Sequence, residues 1–399
     1  MRIAYLTNEF VSETGSFDGG LSNYLHKVCK TLIDFGHQPL VFVLSSVDEE
    51  FEMEGIKVYR VSSKQNHIYK IVDKLTRFKY LNSINIVNNS YYLNKKVKEV
   101  NKRQQIDIVQ YPSYLALGLF IPKGIPSVLR ISSYQKLIDI ANGNRQDAFV
   151  DKLPHLLEDI TFKRAKHIIG PSRFLADFIN NKFNKNVKVI ESPNVPYTGI
   201  ENNSIFNDLQ EEIEGEKYLL FFGRLAKLKG VVDIADMLQE LLLKNENIQM
   251  VFVGKDIGYN NKPTIDYIKE KTKETRNRVK FYSEQEHSKL YPLIRGSHLV
   301  LMPSRIENFP NACVEAMSQG KIVIATKGVS FEQLINDGEN GFLCENSNPD
   351  SLLEIIENVL HLSLQEKAKI ESKAKKTVER LQPEKTVKQL LSYYKSISK

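Results

Sequence analysis

Two carboxylates, Glu307 and Glu315, stand eight positions apart in the run Ser304-Arg305-Ile306-Glu307-Asn308-Phe309-Pro310-Asn311-Ala312-Cys313-Val314-Glu315-Ala316-Met317. Pro303 ends the apolar run before them, and a helix is expected to begin at or beside Asn311. The first turn, formed by Phe309, Pro310, Asn311 and Ala312, then carries N–H groups (proline excepted) without helical acceptors. With the positive end of the helix dipole, such a turn holds an anion. Glu307 on one side and Glu315 on the other can accept hydrogen bonds from hydroxyls. Glu315 is flanked by Val314, Ala316 and Met317, and a carboxylate on such a poorly solvated face needs a partner.

A second constellation lies in Phe221-Phe222-Gly223-Arg224-Leu225-Ala226-Lys227-Leu228-Lys229-Gly230. Arg224 and Lys229 fall in the loop between a strand and a helix. A guanidinium and an ammonium placed there suit a diphosphate, against the plainer reading of a solvated basic loop. Where a diphosphate departs during reaction, preorganised cations stabilise its growing charge, and each such donor is worth about 3 kcal/mol. Phosphates in the middle, with hydroxyl-bearing groups at both ends, describe a sugar nucleotide.

The elements that must position these residues follow from periodicity. Short apolar runs at 3–6, 39–44, 58–61, 106–111, 127–131, 167–170 and 187–190 read as strands with helical patterns between most of them. After a polar, acidic stretch to about Gly215, the rhythm restarts with strands at 218–222, 249–253, 279–282, 298–302 and 321–325 and a helix at 231–243. This is α/β architecture: two doubly wound, Rossmann-like halves facing an interdomain cleft. Domain bounds fall at 1–195, 196–383 and 384–399; the family resemblance named below implies an acceptor-side domain, a nucleotide-sugar-binding domain and a helix crossing back to the first. Each half has a glycine-bearing loop soon after its first strand, at 15–20 and at 223–230.

The 399 residues, 42% hydrophobic and 26% charged, describe a globular chain with room for two cores. Three widely spaced cysteines, Cys29, Cys313 and Cys344, fit neither a disulfide framework nor a zinc site and suggest a reducing compartment. The polar Thr7-Asn8-Glu9 follows the first strand at once, so no signal-peptide core is expected, and no apolar run of membrane-spanning length occurs. A cytoplasmic location is expected. The net charge of +7 is concentrated at 64–103, where ten Lys and Arg face only Asp73 and Glu99. Ile68, Ile71, Val72, Leu75 and Phe78 form a helical stripe there. Lys70, Lys74 and Arg77 lie on another face, and Tyr69, Tyr80, Tyr91 and Tyr92 lie nearby. The segment fits either a helix lying on anionic lipid or one packed on its own domain with a wet basic face. No nucleic-acid-binding motif accompanies it.

The ordered set Gly19-Gly20, Gly223-Arg224, Lys229-Gly230 and Pro303-Ser304 through Glu307 to Glu315-Ala316-Met317 resembles glycosyltransferase family 4, with the GT-B fold. Gly320, Val323, Glu332, Asp337-Gly338 and Gly341-Phe342-Leu343 continue the resemblance over nearly the whole length. It implies transfer from a nucleotide-diphospho-sugar, UDP- or GDP-linked, with retention at the anomeric carbon. The implied acceptor is a saccharide or lipid-linked saccharide of bacterial surface polysaccharide or glycolipid synthesis. It carries Arg224 and Lys229 onto the diphosphate, Glu307 onto the donor sugar, Glu315 onto the ribose, and Gly19 and Gly20 onto close approach to the phosphates. The departing phosphate is then expected to take the acceptor's proton, so no separate base is named. No Asp-x-Asp triplet occurs, and neither a metal nor another cofactor is expected.

Two departures stand out. Relatives often carry a histidine near the donor sugar where this chain has Ser132, in Pro126-Ser127-Val128-Leu129-Arg130-Ile131-Ser132-Ser133-Tyr134. Either Arg130, Ser132 or Tyr134 contacts the sugar or acceptor, or the segment is a plain strand end. The customary Pro-Asn-Gly of the linker reads Pro193-Asn194-Val195. His155 and His287 read as a helix-start residue and a solvated residue of a charged run, and Ser172 as a helix cap. A sugar-nucleotide epimerase and a non-catalytic nucleotide- or glycan-binding partner remain as alternatives; product analysis without acceptor, and Glu307→Ala, separate them.

Overall fold

The computed structural model describes residues 1–10, 20–63, 80–142 and 149–398. Gly19 and the stripe from Ile68 to Phe78 lie outside the described residues. The chain divides into two units, Met1–Pro193 with Leu381–Lys399, and Asn194–Arg380.

The first unit holds an eight-stranded sheet. Its strands are β1 (Arg2–Thr7), β2 (Gln38–Ser45), β3 (Glu49–Met53), β4 (Ile56–Ser62), β5 (Ile108–Pro112), β6 (Ser127–Arg130), β7 (Ile168–Gly170) and β8 (Val187–Val189). Their order is β3-β4-β2-β1-β5-β6-β7-β8, parallel except where β3 runs antiparallel to β4. Most of these strands are buried apolar runs, as a sheet covered on both faces requires. One face packs α1 (Gly20–Asp34) and the C-terminal helix Pro383–Ile397, through Leu25, Val28, Leu32, Val387 and Leu390. The other packs α2 (Leu81–Arg103), α3 (Gln135–Asn142), α4 (Phe149–Arg164) and α5 (Arg173–Phe183), through Leu93, Val97, Phe162 and Ile179. Ser172 caps α5 by accepting from the N–H of Leu175. The chain steps outward from β1 to β2 and β4, then resumes on the other side at β5, so the strand order reverses between β1 and β5. Ligands of such sheets bind beyond the carboxyl ends at that reversal.

In the second unit, α6 (Ser204–Glu212) occupies part of the polar stretch that sequence reading takes as linker. The sheet runs β11-β10-β9-β12-β13-β14. Its strands are β9 (Lys217–Phe222), β10 (Ile248–Val253), β11 (Val279–Tyr282), β12 (Leu299–Met302), β13 (Val323–Thr326) and β14 (Phe342–Cys344). All the pairings are parallel. Helices α7 (Val231–Lys244), α8 (Thr264–Lys271), α9 (His287–Gly296), α10 (Asn311–Ser318), α11 (Pro349–Leu360) and α12 (Leu364–Val378) complete it. Order reverses between β9 and β12, so the loops leaving those two strands lie side by side at the carboxyl edge. They are the loops that carry Arg224 and Lys229, and Glu307 with the start of α10. No helix among the described residues is long and apolar enough to cross a membrane.

Candidate functional site

The two loops are bolted together. Arg305 N–H donates to the Leu228 carbonyl at 2.9 Å. Gly230 has φ +74°, and a Cβ added there would stand 1.8 Å from the Pro303 carbonyl oxygen. Glycine is therefore required twice over, for the left-handed backbone and for the close approach. Gly230→Ala is expected to cost at least about 2 kcal/mol, since the obstacle is backbone and cannot swing away. A lowered denaturant midpoint together with lost nucleotide binding would report it.

Asp233, buried in the first turn of α7, fastens the same junction. The Arg305 guanidinium forks onto it, Nε to Oδ2 at 3.0 Å and Nη2 to Oδ1 at 2.6 Å. These bonds are the main reason the Arg305 pKa is raised. Three further bonds hold the 305–308 backbone. Asn346 Nδ2 donates to the Arg305 carbonyl at 2.9 Å, and Ser330 Oγ reaches the carbonyls of Glu307 and Asn308 at 2.5 and 2.8 Å. Sequence reading assigned no role to this anchor, Asp233 with Arg305 and Ser330. An acid within the apolar opening Val231-Val232-Asp233-Ile234 was the available signal.

On this frame Lys229 and Glu307 meet. Lys229 Nζ donates to Glu307 Oε2 at 2.5 Å, and Glu307 Oε1 accepts from the Asn308 N–H at 3.2 Å. Arg224 is exposed on the same loop and has no partner among the described residues. At the start of α10, Asn311 N–H turns back to the Phe309 carbonyl at 3.0 Å, and Val314 N–H bonds to the Pro310 carbonyl at 3.1 Å. The N–H groups of Ala312 and Cys313 between them have no acceptor in the preceding turn. Phe309 and Pro310 are buried and fix this turn by packing; Asn311 is exposed. The result is a cation, a paired ammonium and carboxylate, and an open helix end at one strand reversal. Burial, with Glu307 adding to it, raises the Cys313 thiol pKa and keeps it protonated.

Glu315 lies further along α10, mostly covered, and its Oε1 is 3.5 Å from His287 Nε2. His287 is half exposed, as its charged sequence context suggests, but its ring also packs on Tyr291 and Tyr197, centroids 5.3 and 6.1 Å away. The solvated reading of His287 thus holds, with Glu315 as a neighbour that the sequence did not indicate. Among the described residues no group of three or more His, Cys, Asp or Glu side chains is placed to hold a metal ion.

The remaining candidates lie in the first unit. Gly20 opens α1, where Glu9 accepts from the Leu21 N–H at 3.1 Å. Ser132 is partly exposed and hydrogen-bonds Ser113, its N–H to Ser113 Oγ at 3.1 Å. Arg130 is buried. Tyr134 corrects the expectation of a sugar contact. It is 1% exposed, donates to Asp159 Oδ1 at 2.8 Å and sits among Phe162, Phe178 and Phe183. Its ring belongs to the core and its hydroxyl is taken by Asp159. His155 likewise lies inside α4, its Nε2 2.8 Å from Asp139 Oδ2.

Beside them Glu158 is buried, accepting only the Gln135 N–H through Oε2 at 3.1 Å. Burial, with Asp159 and Asp139 adding to it, pushes its pKa up to about 8. The folded chain therefore holds this proton more tightly than the unfolded chain. The resulting stability is full at or below the ordinary carboxylate pKa and is lost as pH rises to about 8. Urea unfolding of the first unit should shift to lower midpoints between pH 5 and 8.5. Glu158→Gln should flatten that dependence and add on the order of 3 kcal/mol at pH 8.5.

Comparison with known proteins gives two family matches. The model described as glycosyl transferases group 1 matches residues 205–377, and that described as Glycosyltransferase Family 4 matches residues 18–193. An uncharacterised glycosyltransferase of Methanocaldococcus jannaschii is 25% identical over 321 residues, 78% of this chain and 81% of that protein. The lipopolysaccharide 1,2-N-acetylglucosaminetransferase of Salmonella typhimurium is 27% identical over 219 residues, 53% of this chain and 57% of its own length. The crystal structure of Anabaena HepE in complex with UDP-glucose superposes with a TM-score of 0.71 at 20% identity, covering 99% of this chain and 100% of that one.

Proposed function

The chain belongs to the family 4 glycosyltransferases of GT-B fold, and from that premise we propose that it transfers a sugar from a nucleotide-diphospho-sugar with retention of anomeric configuration. The observation that carries this reading is the Lys229–Glu307 pair beside the open N-terminus of α10, at the strand reversal of the second unit. Arg224, Lys229 and the free N–H groups of Ala312 and Cys313 take the diphosphate. Glu307, released from Lys229, accepts from hydroxyls of the donor sugar, and Glu315 accepts from the ribose. The anomeric carbon–oxygen bond to the diphosphate breaks while the acceptor hydroxyl bonds on the same face. The departing phosphate oxygen takes the acceptor's proton. Two side-chain cations and a helix end meet the leaving charge, so we propose a reaction without a divalent metal.

UDP-glucose in the HepE complex supports a UDP-linked donor, and GDP is the competing choice. The N-acetylglucosaminetransferase relative supports a saccharide acceptor in surface polysaccharide or glycolipid synthesis. Calorimetry against UDP, GDP and ADP should show one binding at least tenfold more tightly than the others, undiminished by EDTA. Product NMR should show the donor's anomeric configuration. Binding of none of the three, or an inverted product, would reject the reading.

We further propose that the enzyme works at the inner face of the plasma membrane. Tyr91 on α2 and Phe120 are both exposed, their rings 5.9 Å apart, with Lys95, Lys98, Lys102 and Arg103 exposed along the same helix. Aromatic rings beside clustered cations fit anionic lipid. Flotation with phosphatidylserine vesicles, lost at high salt, is the expected result; salt-independent absence of binding removes this placement.

A further inference from the structure

Arg130 ends β6 at the carboxyl edge of the first sheet, one strand from the reversal between β1 and β5. It is 6% exposed. Its guanidinium lies over the Tyr24 ring with Cζ 3.6 Å from the centroid, and Nη2 donates to Ser192 Oγ at 2.9 Å. Among the described residues no carboxylate pairs with it. Buried guanidinium groups ordinarily bring an anionic partner, because an isolated buried charge is costly. The aromatic face and the neutral hydroxyl fix the plane of the group and leave its charge unmatched among the described residues.

Ser192 is the one hydrogen-bond partner of the Arg130 guanidinium among the described residues, so the other N–H groups of the fork remain available. Tyr24 belongs to the helix that opens at Gly20, and Ser192 follows β8. Three separate elements thus hold a planar, permanently charged fork whose remaining N–H groups are available to a ligand. That geometry matches a two-oxygen anion. The donor's diphosphate has its own cations in the second unit, at Arg224 and Lys229.

We propose that Arg130 binds a carboxylate or phosphate carried by the acceptor, so that this enzyme glycosylates an acidic saccharide. Equating the anion's carrier with the acceptor rests on the transferase reading above; the anion site itself does not.

Calorimetry on the full chain at low salt tests this with glucose, glucuronic acid and glucose 6-phosphate as probes. At least one acidic probe should bind tenfold or more tightly than glucose, and the comparison of the two separates carboxylate from phosphate. Arg130→Lys keeps the charge without the fork and should lose most of that preference, and Arg130→Gln all of it. UDP or GDP affinity should stay unchanged in both variants. The proposal is overturned if neither acidic probe exceeds glucose on the unmodified chain, a comparison that needs no variant to fold. It is also overturned if the preference survives Arg130→Gln, or if the loss falls on the nucleoside diphosphate instead. Acidic-sugar preference in a chain that binds no nucleoside diphosphate would support the anion site and remove only the donor reading.

Discussion

Replacing Lys229 by alanine is expected to lower glycosyl transfer about 100-fold and nucleoside diphosphate affinity about tenfold. Glu307→Ala should lower transfer by a similar factor or more, while leaving nucleoside diphosphate affinity equal or higher. The opposite signs follow from one contact. Without ligand, Lys229 Nζ and Glu307 Oε2 neutralise each other at 2.5 Å. In the proposed donor pose that pair is exchanged for two others, ammonium with diphosphate and carboxylate with sugar hydroxyl. Removing the carboxylate deletes the sugar grip but frees the ammonium. Removing the ammonium deletes the diphosphate grip and leaves a largely covered carboxylate beside the incoming phosphates, which repels them. Steady-state kinetics with the intact donor, paired with calorimetry of UDP and GDP, separates the two effects. Equal losses of nucleoside diphosphate affinity in both variants would mean that the pair is only structural.

Asp233→Ala is expected to destabilise the second unit by about 3–5 kcal/mol, because it strands the Arg305 guanidinium without its acceptor. Asp233 is nearly sealed and Arg305 largely covered, so water cannot substitute freely. Transfer should fall as well, since the anchored segment 305–308 carries Glu307. The double variant Asp233→Leu with Arg305→Met distinguishes stability from positioning. Apolar side chains of similar volume should restore much of the denaturant midpoint. Activity should remain low, because the fork that fixes the loop's direction is gone. Full recovery of both would show that the pair only fills space.

The loops of the candidate site are legible in sequence because each leaves a buried apolar strand, β9 or β12. The meeting of Lys229 with Glu307 is not, as 78 residues separate them and only the sheet order joins their loops. Ser172 was legible as a cap because capping is local. Tyr134 misled because its polar neighbours suggest a surface, whereas Phe162, Phe178 and Phe183 bury it from further along the chain. Strand β3 escaped notice because Glu49-Glu50-Phe51-Glu52-Met53 lacks a buried apolar run. It pairs only with β4 at the sheet edge, where Arg60 bonds Glu49 at 2.8 Å. Strand β14 is three residues long, too short for any periodicity to register. His287 is exposed as its charged run suggests, but nothing in its local sequence announces its neighbour Glu315.

The helix Pro383–Ile397 belongs to the core of the unit that the chain begins. Val387, Leu390 and Tyr394 pack with Ile3 and Tyr5, and the Tyr394 hydroxyl donates to Gln110 Oε1 at 2.6 Å. During synthesis the first sheet therefore waits, with one face unsealed, while residues 194–380 emerge from the ribosome. The second unit, Asn194–Arg380, is contiguous and can close as soon as it has emerged. Assembly order is thus reversed relative to chain order. A chain truncated at residue 380 and released should hold a folded 194–380 unit and an unfinished first unit, one that a chaperone would have to shelter for want of its last helix.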